Sequence, residues 1–93
     1  MRTERLELRD RQGRTRAVLS CDEGSGSPSL ALLDAAGQTR VLVGISWGEM
    51  PQIQLTAADG TARLALVVRP EGIGMLVLAD DQQHSKAITA LDA

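Results

Sequence analysis

The chain predicts an all-β fold: four antiparallel β-hairpin repeats of about 23 residues, assembled as a prism or as stacked sheets. Three observations carry this. Four segments align without gaps: LELRDRQGRTRAVL from Leu6, LALLDAAGQTRVLV from Leu30, IQLTAADGTARLAL from Ile53 and LVLADDQQHSKAIT from Leu76. Each opens on alternating apolar residues, the period of a strand, because side chains two apart share one face of a sheet. Each then reaches a turn set, followed by a cation at Arg16, Arg40, Arg63 or Lys86.

The units run approximately 5–20, 29–45, 52–69 and 74–91, within one domain spanning 1–93. In the first two, Asp10 and Asp34 open the turn and Gly13 and Gly37 close it. An Asp carboxylate bonds the backbone two residues on, and Gly accepts positive φ, which together specify a type I turn with a G1 bulge. The third unit moves its acid to Asp59, beside Gly60. The fourth keeps Asp80 but has Gln83 where the others have Gly, so its turn is expected to be looser. The last stretch, DDQQHSKAITALDA, also carries capping Asp residues and helix formers, so a helix is the alternative there.

With Asp10 paired to Arg14, simple alternation sets Leu8 opposite Arg16 and Leu6 opposite Val18. The equivalent face holds Leu30, Leu32, Leu42, Ile53, Leu55, Ala65, Val67, Leu76, Leu78 and Ile88. The other face is polar in the first unit, with Glu7, Arg9 and Thr15. Later it turns apolar, with Leu33, Val41, Val43, Leu64, Leu66, Val68 and Val77. Apolarity on both faces means that both are covered, and the means expected is self-association as a homo-oligomer, with a trimer as the first expectation. Leu33, Val41, Val43, Leu64 and Leu66 are therefore candidate interface residues. Between units, CDEGSGSPS reads as a flexible acidic linker, and Pro28, Pro51 and Gly74 precede the next strand.

The Leu-x-Leu-x-Asp-x-x-Gly-x-x-Arg units, with Gly-x-Pro-x-Leu after them, resemble the short hairpin repeats of uncharacterised bacterial proteins, over nearly the whole chain. That resemblance implies an architecture and no activity. The third unit lacks the first Asp, and the fourth lacks the Gly and has Lys86 for Arg.

Composition narrows the function. The chain has one Trp, no Phe and no Tyr among 93 residues, so the large side chains that dominate small cores are missing. Residues 1–16 carry six Arg against three acids, and the remainder carries four basic against nine acidic residues. The basic end alternates charge sign like a solvated strand, and without aromatic platforms for bases a nucleic-acid partner is not expected. No stretch has the length or apolarity of a membrane-spanning helix, and the start lacks the apolar centre of a signal peptide, so the default expectation is cytoplasmic.

No catalytic, cofactor-binding or metal-binding residue is expected. A recurring Asp and Arg suit turn closure, because a catalytic site occurs once. GSGS and EGIG lack the Lys-Ser/Thr of a phosphate loop. His84 with Asp80 and Asp81 falls short of a converging zinc ligand set. Cys21, beside Asp22 and Glu23, is expected to be inert. Trp47, whose plain role is to cover the open end of the apolar core, is with Met50 the distinctive candidate, as an interface anchor or, in the alternative reading, as the loop of a monomeric module binding a peptide or small ligand. The leading expectation is a non-enzymatic structural or adaptor module.

Overall fold

The computed structural model describes residues 4–46, 49–80 and 85–91, the last of these by backbone alone. Eight strands form one sheet: β1 (Arg5–Arg9), β2 (Thr15–Cys21), β3 (Pro28–Leu33), β4 (Thr39–Ser46), β5 (Met50–Thr56), β6 (Ala62–Val68), β7 (Gly74–Ala79) and β8 (Ser85–Leu91). They lie in chain order, each antiparallel to the next, so the all-β architecture stands. The helical alternative for the C-terminal segment does not. Ser85–Leu91 is a strand paired to β7, where ladder hydrogen bonds and continuation of the sheet outweigh local helix propensity.

Turn chemistry follows the Asp and Gly positions. Asp10 N–H donates to the Arg14 carbonyl, and Gly13 N–H donates back to the Asp10 carbonyl, both at 3.0 Å. Asp34 with Gln38 and Gly37, and Ala57 with Thr61 and Gly60, repeat the arrangement. Gly13, Gly37 and Gly60 sit at φ 79°, 85° and 89°, where a Cβ would crowd the following carbonyl. The turn of the fourth unit lies outside the described residues.

The opposite end of the sheet uses the same device, which corrects one expectation. CDEGSGSPS, expected as a flexible linker, is a hydrogen-bonded turn between β2 and β3. Asp22 N–H donates to the Ser27 carbonyl, and the Asp22 carboxylate accepts from Gly24 N–H, Ser25 N–H and the Ser25 hydroxyl. Arg69 and Gly72 close the β6–β7 turn similarly. In the β4–β5 turn Glu49 takes φ 63°, the one non-glycine at positive φ among the described residues.

Register supplies the larger correction. Arg9 pairs with Thr15, but Leu8 pairs with Ala17 and Leu6 with Leu19, leaving Arg16 as an extra residue. Arg40 is skipped between Thr39 and Val41, and Arg63 between Ala62 and Leu64. Each of these three hairpins therefore holds a second bulge beyond its turn, and one inserted residue carries the rest of the return strand to the other face; in β7–β8 Lys86 pairs with Leu78 and the shift lies at the far end, between Gly74 and Met75. Val41, Val43, Leu64, Leu66 and Val68 consequently share a face with Leu30, Leu32, Ile53 and Leu55. Leu42, Ala65 and Val67 leave it for the second face.

Candidate assembly surface

Residues paired across successive strands share a face, and the pairings link into rows perpendicular to the strands. One row runs Leu6, Leu19, Leu30, Val43, Ile53, Leu66 and Leu76, with Ile88 in the eighth place by register. A second runs Leu8, Ala17, Leu32, Val41, Leu55, Leu64 and Leu78, with Lys86 in the eighth place. Cys21, Pro28, Ile45, Pro51, Val68 and Gly74 flank them. No charged residue from the described side chains lies in these rows.

Nothing among the described residues covers this face. Ala17, at 9% exposure, is the one buried hydrophobic residue among the described residues. The exposed large hydrophobics are Leu6, Leu8, Leu19, Leu32, Val43, Ile45, Ile53, Leu55, Leu66, Val68 and Leu78, from 37% to 62% exposed, and all belong to this face. A contiguous apolar patch of this kind marks an interaction surface on a soluble protein. Part of it, over β4–β7, forms a hollow of about 580 Å³ lined by Val43, Ile45, Ile53, Leu66, Val68 and Leu76.

Of the interface residues expected from sequence, Val41, Val43, Leu64 and Leu66 come together here. Leu33 and Met50 do not: Leu33 follows Leu32 and pairs with Thr39, and Met50 pairs with Ser46, so both lie on the second face. Trp47, His84 and Asp81 lie outside the described residues. Cys21 is free and exposed, at the edge of the apolar face.

The second face is mixed. Val18, Ala31, Leu42, Ala65, Val67 and Val77 are half-buried among Ser20, Ser29, Gln52 and Gln54. The bulge arginines sit at the turn end of the sheet and join successive hairpins. Arg16 Nε donates to the Leu33 carbonyl at 2.9 Å, Arg40 Nε to the Thr56 carbonyl at 2.6 Å, and Arg63 Nη1 to the Asp80 carbonyl. Each also holds the acid of its own turn: Arg16–Asp10 at 3.6 Å, Arg40–Asp34 at 3.4 Å and Arg63–Asp59 at 2.7 Å. The repeated Asp and Arg thus form a staple between one hairpin's turn and the end of the next hairpin's first strand.

Four turn aspartates, Asp10, Asp22, Asp34 and Asp59, are held below the ordinary Asp value. At Asp10, partial desolvation pushes the other way, and hydrogen bonds from the Arg14 backbone and guanidinium, with its charge, outweigh it. Ser25 N–H lowers Asp22, Gln38 N–H lowers Asp34, and the Thr61 hydroxyl and N–H lower Asp59. Their lone pairs are engaged in turn closure, which accounts for their recurrence without chemistry.

Gly44 was not singled out by the sequence reading, although a lone Gly inside the apolar run VLVGIS signals close backbone approach. A Cβ there would lie 2.7 Å from the Pro28 carbonyl oxygen and 3.1 Å from Ser29 Cα. The position sets how tightly β3 and β4 approach at the linker end. Compared with family models, curated proteins and solved structures, the chain matches none, so its surface is the guide to its function.

Proposed function

We propose that this protein is a non-enzymatic structural module that works as a homo-oligomer. The observation that carries the reading is surface area. The chain exposes 6976 Å², against about 5,200 Å² for a compact monomer of its 9.9 kDa mass. The surplus, about 1,800 Å² per chain, falls in the range that obligate partners bury, above the roughly 800 Å² per partner of an ordinary interface. A single layer of sheet has no core until a second layer meets it.

Three copies suit these strands. Strands of five to eight residues span about 17–26 Å, so three walls around an axis perpendicular to the strands put each wall about 5–8 Å from the centre, near half the 10 Å sheet spacing. Aliphatic side chains fill that distance. Light scattering on chromatographed protein tests the reading: a mass of about three chains is expected, and a stable folded monomer at micromolar concentration contradicts self-assembly.

A second reading, a monomeric module that binds a peptide or small apolar ligand, draws its support from the hollow over β4–β7. It requires a folded monomer, so the same mass measurement separates the two.

A further inference from the structure

We infer that the rows led by Leu6 and Leu8 are the interface itself: they pack against the same rows of a second copy of this chain, so the hydrophobic core of the protein is intermolecular and the sheet folds only as it assembles. This deepens the self-assembly reading and rests on it. The face offers its partner aliphatic side chains from β1 to β7, with Lys86 of β8 at the end of one row by register, and another copy's face is the surface of matching extent and chemistry that the chain itself supplies. The surplus area fits one face covered by protein. The hollow spans β4–β7 alone, so a small ligand lodged there leaves Leu6, Leu8, Leu19 and Leu32 wet. Lipid fits poorly as well. Strands of five to eight residues fall short of the roughly 9–11 needed to cross a bilayer, and an open sheet edge has no partners in hydrocarbon.

The second face has a different character. Its apolar side chains are half-buried and interleaved with Ser20, Ser29, Gln52 and Gln54. It therefore faces outward in the assembly.

Adjacent residues in β5 separate the two faces. Ile53, 39% exposed, lies in the centre of the apolar row; Gln54 points to the other side. In a self-sufficient monomer, Ile53→Lys places a charge in water and is harmless. In the inferred assembly it buries that charge at the interface. Light scattering across a dilution series is expected to show Ile53→Lys dissociating at a concentration at least tenfold higher than the parent, with Gln54→Lys behaving as the parent. Oligomers insensitive to Ile53→Lys, or sensitive to Gln54→Lys instead, overturn the choice of face while leaving self-assembly intact; a monomeric parent overturns both.

Should Ile53→Lys not fold, cysteine variants in a Cys21→Ser background keep the test. Mild oxidation is expected to link chains through Ile53→Cys and not through Gln54→Cys. Equal or reversed cross-linking contradicts the inference.

Discussion

Arg40 shows how a repeated residue gets its meaning from its register. It occupies a bulge, donates to the Thr56 carbonyl at 2.6 Å and holds Asp34 at 3.4 Å. Replacing it with Ala removes one charged donor from a half-buried carbonyl and should cost about 1–2 kcal/mol, read as a lower denaturant midpoint with an unchanged slope. Gly44→Ala introduces a Cβ that meets backbone rather than a movable side chain, and an overpacking cost of about 1–3 kcal/mol is expected. For the turn acids the folded values of Asp10, Asp22, Asp34 and Asp59 all lie below 3.8. The stability they contribute is therefore complete above the unfolded value and lost as pH falls through the folded ones. Carboxyl NMR titration should show all four midpoints below 3.8, and an ordinary value for Asp34 would break the turn account.

The hairpin was legible because its signals are local. Asp10, Gly13, Asp34, Gly37 and Gly60 announce turns whatever surrounds them, and the structure places them in hydrogen-bonded turns. The second bulge was not legible from alternation alone. Arg16 follows Thr15 in an unbroken strand pattern, and no residue type there demands an insertion, yet skipping it sends Ala17 and Leu19 to the opposite face. That one-residue shift sorted Val41, Val43, Leu64 and Leu66 onto the same side as Leu30 and Leu32, which simple counting had divided. Linker length misled too, since the Asp22 carboxylate ties the glycine- and serine-rich segment into a turn. Gly37→Ala tests the turn at this scale: at φ 85° an added Cβ should cost about 1–2 kcal/mol, while Gly37→Asn, which tolerates that conformation better, should cost less.

At the scale of the whole molecule, the expected two-sided cover reduces to one exposed apolar face, on which the proposed self-assembly rests. A sheet with Ala17 as its single buried hydrophobic among the described residues has little to hold it together beyond its ladder and its arginine staples. In the proposed assembly, association and folding are one equilibrium, in which stability depends on protomer concentration. The most direct measurement is the melting temperature over a hundredfold range of protein concentration, followed by circular dichroism. A midpoint that rises steadily with concentration, with no folded species of one-chain mass at the dilute end, is the predicted result. A midpoint independent of concentration, in a species of one-chain mass, would contradict it.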